Sequence, residues 1–329
     1  MAMTKIVSAL ALLALAAAPA AAEEVTLEWK WKKGDSFRYR MTQDQKQALV
    51  GPENQQASQQ QVFVWRQDVE EVSPEGVATV LTTYESVKLE MDLGTGKTTY
   101  DSTKPEDKEK AAQNPMIKPV AALVGERFTF KIDRAGNVLE VTGIDRIMEK
   151  VLAGTTRKSP KGFLSDEAMK TMLEQSFHAL PEKPVKPGDR WERSLVQKIP
   201  VLGAVQYDTH YALAALESMG GEEAAKIGIE MKIVHKPAEK PDPDNPFSAM
   251  FDIKMADGTG RGELSFGREK GRILKQVLET TLEMTIDMKA PPAPAGAEKP
   301  AAPPPPPKQL RQRIEQKTTL ELLPAEAPK

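Results

Sequence analysis

The chain has no cysteine among its 329 residues. Structural disulfides, thiolate metal sites, a cysteine nucleophile and the lipid-modified cysteine of bacterial lipoproteins are therefore excluded. Histidine is nearly as scarce. His178, His210 and His235 lie far apart and make no HxH or HExxH pair, so no zinc-binding spacing is present. No Gly-x-Ser-x-Gly elbow occurs, which removes the most recognisable setting for a hydrolase nucleophile. Charge of one sign is also lacking: 45 Lys and Arg face 47 Asp and Glu, a formal net charge of −2. Nucleic-acid binding needs a basic face, and this balance offers none. Beyond residue 22 no apolar run approaches the about 18 residues of a membrane-crossing helix.

The amino terminus carries the one strong address signal. Lys5 precedes the apolar run Ile6 to Ala18, and Ala20-Ala21-Ala22 precede Glu23. This is the pattern of a secretory signal peptide over residues 1–22, cut between Ala22 and Glu23. The expected mature chain is a periplasmic or extracellular protein with no transmembrane segment and no lipid anchor.

Most of the remaining sequence alternates with a period of two, as strands do when one face is buried and the other is wet. Val25, Leu27, Trp29 and Trp31 alternate with polar residues, as do Phe37, Tyr39 and Met41. Val77, Thr79, Leu81 and Thr83 lead to Val87, Leu89 and Met91, and Val205, Tyr207, Thr209, Tyr211 and Leu213 form another stripe. Leu274, Leu278, Leu282, Met284, Ile286 and Met288 are followed by Leu310, Ile314, Leu320 and Leu322. One-sided strands belong to antiparallel sheet. Several run to about 12–16 residues, roughly twice the usual length, which suits a curved sheet or open barrel. The expected class is mainly β.

Two stretches have helical spacing instead. Ile144, Ile147, Met148, Val151 and Leu152 form one; Met169, Met172, Leu173, Phe177 and Leu180 form the other, after Ser165 as N-cap with Asp166 and Glu167 in the first turn. The methionines read as core packing.

A weak repeat organises the chain. Lys33-Gly34-Asp35-Ser36-Phe37 opens one strand, and Pro187-Gly188-Asp189-Arg190-Trp191 opens another. Glycine suits the turn, aspartate bonds its backbone, and Phe37 and Trp191 are expected to be the first inward residues. Phe128-x-Phe130 before Gly136 and Leu264-x-Phe266 before Gly271 follow in the same order. We therefore expect a first β-rich half over 23–142, a helical connection over 143–186 and a second β-rich half over 187–329. An Ala/Pro-rich loop at 289–308 interrupts the second half, its composition suited to a solvated polyproline II stretch. One continuous sheet and two separate modules are both compatible with this pattern.

The segments Leu27-x-Trp29-Lys30-Trp31-Lys32-Lys33-Gly34-Asp35-Ser36-Phe37, Phe128-Thr129-Phe130-Lys131-Ile132-Asp133-x-x-Gly136-Asn137-Val138 and Leu180-Pro181 through Pro187-Gly188-Asp189-x-Trp191 resemble an uncharacterised family of exported bacterial β-rich proteins. The resemblance implies a secreted β-rich fold without an assigned activity, and no functional residue comes with it.

Three motif fragments fail on spacing. Gly96-Lys97-Thr98 resembles the end of a P-loop, but that motif's first glycine would fall at Met91. Gly258-x-Gly260-x-Gly262 lacks dinucleotide spacing. Asp242, Asp244 and Asn245 resemble a calcium loop, yet Pro241, Pro243 and Pro246 intervene and the terminal glutamate is missing. No metal or cofactor is expected, and the carboxylate pairs Glu70-Glu71 and Glu222-Glu223 read as solvated. Trp29, Trp31 and Trp65 could stack on a ligand, but inward strand positions favour the core. The leading expectation is a non-catalytic exported protein that binds lipid, another amphipathic ligand or an envelope partner on a curved sheet. The alternatives are a hydrolase using carboxylates such as Asp133, Glu140, Asp252 or Glu263, which must converge in a cleft, and a purely structural envelope protein.

Overall fold

The computed structural model describes residues 24–50, 56–94, 96–152, 165–199, 203–237, 251–288 and 308–325. The Ala22–Glu23 junction, the Asp242–Asn245 loop and the Ala/Pro-rich stretch 289–307 lie outside these residues.

The alternating segments become strands of one antiparallel sheet. In the first half these are β1 (Ser36–Val50), β2 (Gln56–Val72), β3 (Ala78–Asp92), β4 (Lys97–Asp101), β5 (Arg127–Ile132) and β6 (Val138–Thr142). The second half adds β7 (Arg190–Ile199), β8 (Gly203–Met219), β9 (Glu222–Lys236), β10 (Phe251–Met255), β11 (Gly258–Gly267), β12 (Arg272–Met288) and β13 (Lys308–Leu323). Their spatial order is β6-β5-β3-β2-β1-β13-β12-β11-β9-β8-β7, with β4 also on β3 and β10 also on β12. The last strand, β13, inserts between β1 and β12, so both halves share one continuous sheet. The sheet curves without closing and ends in the edge strands β6 and β7.

Both Gly-Asp strand starts make the same backbone bonds. Gly34 N donates to Val69 O at 2.9 Å and Val69 N donates back to Asp35 O at 2.9 Å; Gly188 N donates to Leu213 O at 2.8 Å and Leu213 N to Asp189 O at 3.0 Å. Both glycines sit at positive φ, 87° and 98°. The side chains differ. Asp189 Oδ2 accepts from Lys186 N at 2.9 Å, whereas the Asp35 carboxylate turns to Arg272. Asp189→Ala should cost about 1 kcal/mol for the lost turn bond, read as a shift in the denaturation midpoint.

One face assignment is corrected. The inward residues at the start of β3 are Ala78, Val80 and Thr82, not Val77, Thr79, Leu81 and Thr83. The register shifts opposite Val64 and Trp65, where Glu85 is the additional residue of a bulge. Beyond it the inward parity switches to Val87 and Leu89, because one inserted residue exchanges the faces.

Gly258, Gly260 and Gly262 form no turn or nucleotide loop. They lie along β11 opposite Leu282, Thr280 and Leu278 of β12. A Cβ at Gly262 would stand 2.0 Å from Val277 O, and one at Gly260 would stand 3.2 Å from both Met231 Cβ and Thr280 Cγ2. With no side chains on the inner face of β11 here, side chains of β9 and β12 can meet over it, and Met231 and Ile233 pack with Leu278 and Leu282.

Among the described residues, four helices accompany the sheet. The two expected ones are α3 (Ile144–Leu152) and α4 (Asp166–Phe177), the latter capped by Ser165 Oγ, which accepts from Ala168 N at 3.1 Å. Two more, α1 (Pro105–Gln113) and α2 (Lys118–Ala121), fall inside the first half and were not expected. Pro105-Glu106-Asp107-Lys108-Glu109-Lys110 has no apolar stripe, and Ala111, Ile117 and Ala121 join Leu89 and Tyr100 in a small core. Helix α4 packs against both edge strands, β6 and β7, and bridges the opening of the sheet.

Residues 25–31 alternate like a strand, yet they join the sheet nowhere. Val25 makes an isolated bridge to Val185, Trp29 N donates to Arg134 O at 3.2 Å and Lys30 N to Gly271 O at 3.3 Å. The segment thus crosses the hairpin ends of both halves. Trp29 is 2 % exposed and meets Phe177 and Phe266 edge-on, at centroid distances of 4.8 and 5.2 Å.

Candidate ligand cavity

Between α4 and the inner face of the sheet lies a cavity of about 450 Å³. That is within the usual size range of small-molecule sites. The residues around it follow from strand parity. β1 contributes Phe37, Tyr39 and Met41, β2 contributes Trp65, β12 contributes Leu278 and Leu282, and β9 contributes Ile229 and Met231. Met172, Leu173 and Phe177 of α4 close the other side, with Trp31 of the crossing segment.

The wall is not uniformly apolar. Gln43, Gln67, Gln276 and Gln316, with Thr280 and Thr318, bring amides and hydroxyls to it. Gln43 lies opposite Gln61 and Gln45 opposite Gln59, and Gln312 Nε2 donates to Gln47 Oε1 at 2.9 Å. The inner face therefore grades from aromatic near α4 to amide-rich along β1 and β2. The alternating glutamines were visible in the sequence but were passed over, because a polar residue at an inward position reads as outward.

Tyrosines are built in as neutral groups. Tyr39 is buried, its hydroxyl donating to Ile273 O at 3.3 Å, and burial holds its phenol far above the ordinary value. Burial likewise pushes Tyr211 up to about 12. Neither ionises near neutral pH, so both present apolar rings to the cavity.

Arg272 is the exceptional wall residue. Its side chain is only 13 % exposed and its Cζ sits 3.8 Å over the Phe37 ring. Nη2 lies 3.6 Å from Asp35 Oδ2 and 3.5 Å from Lys270 O, and Nε is buried with no partner among the described residues. Desolvation pulls its pKa down, opposed by the carboxylates of Asp35 and Glu222.

The residues singled out from the sequence are dispersed. Phe37 is buried and lines the cavity, and Asp35 lines the adjoining groove. Gly34, Gly188 and Asp189 shape strand starts away from it. Trp191 is half-buried rather than a full core residue: it stacks on Tyr211 at 5.6 Å and its Nε1 donates to Ala179 O at 3.0 Å. Of the tryptophans, Trp29 is core, while Trp31 and Trp65 are partly exposed at the cavity wall.

The four carboxylates weighed for hydrolysis do not meet there. Asp133 caps its own turn, accepting from Ala135 N and Asn137 N at 2.9 Å each. Glu140 pairs with Lys131 at 2.7 Å, Asp252 with Lys254 at 3.7 Å and Glu263 with Lys226 at 3.3 Å. None of the four lines the cavity. Glu222 is a correction: it is 7 % exposed, not solvated, and its Oε2 accepts from Lys270 N at 3.2 Å in space that a side chain at Gly267 would occupy.

His178, His210 and His235 also stay apart. His178 Nε2 is 2.8 Å from Asn137 Oδ1, His210 Nδ1 is 3.6 Å from Glu192, and His235 Nδ1 lies 3.4 Å from Met255 N. Among the described residues, no group of three or more His, Cys, Asp or Glu could hold a metal ion.

No curated protein matches the chain. A solved lipovitellin structure, described by its lipid–protein interactions, is similar with a TM-score of 0.46 and 11 % identity, over 91 % of this chain and 27 % of that one. This chain thus spans about a quarter of lipovitellin's length. DynF of the dynemicin biosynthesis pathway of Micromonospora chersina scores 0.18 at 7 % identity, over 91 % and 85 % of the two chains. OpdQ of Pseudomonas aeruginosa scores 0.18 at 8 % identity, over 89 % and 100 %. Likenesses this slight assign no ligand. The sequence pattern of one family matches residues 75–273, from the β2–β3 turn to the start of β12, and the chain belongs to that family, a family of unknown function (DUF6263).

Proposed function

We propose that this protein is an exported, non-catalytic binder of an amphipathic small molecule held between α4 and the inner face of the sheet. The observation that carries this reading is the cavity of about 450 Å³, with an aromatic and aliphatic wall and a minority of amide and hydroxyl groups. Apolar walls supply affinity through buried area, and sparse polar groups fix orientation. Export rests on the leader at residues 1–22, and a mature chain beginning at Glu23 in the periplasmic or secreted fraction is its direct check.

The binding reading is tested on the mature chain purified from its own host. Native mass spectrometry followed by solvent extraction should recover an apolar or amphipathic adduct, and a polarity-sensitive dye should bind and brighten. Leu278 sits at the junction of the two apolar clusters on the inner face. Leu278→Trp should intrude on the middle of the cavity and weaken dye binding about tenfold, the loss expected when part of the buried apolar contact is denied. Undiminished binding in that variant would move the ligand elsewhere. An empty protein that binds no dye would remove the carrier reading altogether.

A further inference from the structure

Arg272 lines the cavity under α4 and a groove beside it, and so do Trp31, Phe37 and Lys30. The groove adds Lys32 and Lys270 against the acids Asp35 and Glu269, so cations outnumber acids around it. Within this wall two buried N–H donors have no acceptor among the described residues, Trp31 Nε1 and Arg272 Nε. The guanidinium has no short hydrogen bond: its nearest acceptors are Lys270 O at 3.5 Å and Asp35 Oδ2 at 3.6 Å, both beyond ordinary charge-assisted distance. A buried cation is normally paired, and orphaned buried donors call for an explanation. Lys30 does not answer it, since its Nζ donates to Arg268 O at 2.9 Å and supplies no acceptor. The guanidinium plane can take two oxygens of one carboxylate or phosphate side by side, which a lysine could not.

We infer that the ligand is an anionic amphiphile, its single acidic head seated at Arg272 and Trp31 and its apolar body running under α4 toward Leu278 and Met231. This rests on the binding reading above and narrows it to a ligand class. Asp35 is then a placeholder: it loosely compensates Arg272 in the free protein and is displaced from it by the head group. The amide-rich stretch of β1 and β2 lies at the opposite end of the inner face, where it would meet any polar group on the distal end of the ligand.

Displacement of a polarity-sensitive dye by dodecanoate, 1-dodecanol, dodecyl phosphate and acetate is the test. The wild-type chain should bind dodecanoate or dodecyl phosphate about tenfold to a hundredfold more tightly than dodecanol, the range of one charge-assisted contact. Arg272→Gln should abolish that preference, bringing acid and alcohol to equal affinity, and Asp35→Asn should enlarge it. Equal binding of acid and alcohol by the wild type overturns the anionic head and leaves the apolar cavity reading standing. Failure of every chain-bearing probe to displace the dye, or of the dye to bind, sinks both. Competition by acetate as strong as by dodecanoate shows a simple anion site and overturns the amphiphile. Should Arg272→Gln fail to fold, the wild-type ratio and the Asp35→Asn ratio decide on their own.

Discussion

Trp29→Ala is expected to lower the stability of the chain by about 3–5 kcal/mol, the range for truncating a fully buried large aromatic. Trp29 stands where the crossing segment, helix α4 and the hairpin ends of both halves meet. Its ring lies edge-on to Phe177 of α4 and to Phe266 of β11. Its Nε1 donates to Phe177 O at 2.9 Å, satisfying one of the last carbonyls of α4. Truncation therefore removes packing and leaves a buried acceptor unpaired. Trp29→Phe keeps an aromatic ring at the site but removes the donor and part of the indole bulk, so it should cost less than the alanine variant, about 1–3 kcal/mol. Urea unfolding of the three chains is the measurement. A wild-type midpoint for Trp29→Ala would mean that the 25–31 segment is not docked on the sheet.

Gly136→Ala should be nearly as damaging, about 3 kcal/mol, although it adds a single methyl group. Gly136 has φ of +90°, a conformation that costs an L-residue about 1–2 kcal/mol. The added Cβ would also fall 2.4 Å from Phe177 O and 2.8 Å from Trp29 Nε1, so the hydrogen bond between them must yield. Overpacking of this kind costs about 1–3 kcal/mol more. Gly34 provides the control. Its φ is +87°, but a Cβ there meets nothing within 4 Å, so Gly34→Ala should show the conformational cost alone. Equal losses at both positions would show that the Gly136 turn does not press on the end of α4.

The β-rich architecture was legible because hydrophobic alternation reports burial directly. The stripes of β1, β8, β12 and β13 marked long one-sided strands, and Ser165 with Asp166 and Glu167 marked the start of α4. The failures have a common cause. Alternation at Val25–Trp31 recorded which side chains are buried, but not whether the backbone has a strand beside it. In β3 the bulge at Glu85 exchanges the faces, so the parity that holds at Val87 and Leu89 fails at the start of the strand. The α1 segment carries too little apolar surface to show a helical stripe, and it is held by neighbours contributed by β3 and β4.

The candidate site was less legible than the fold. Its apolar wall, from Phe37, Tyr39 and Met41 to Leu278 and Leu282, comes from the same stripes that revealed the strands. Arg272 gave no such signal, since an arginine after a turn glycine is ordinarily solvated. It is largely shielded because Phe37 lies beneath it and the crossing segment lies beside it, both from the distant amino-terminal part of the chain. Glu222 is buried for the same kind of reason, its room provided by Gly267.

Sequence alone determined that this protein is built from long antiparallel strands with one apolar face, because side-chain period and burial are local properties of the chain. Tertiary structure alone decided that β13 inserts between β1 and β12, that three glycines of β11 let β9 and β12 close over them, and that α4 bridges two edge strands to enclose a cavity. Those outcomes depend on which surfaces meet across long separations in sequence, and shape complementarity between distant segments leaves no periodic trace in either one.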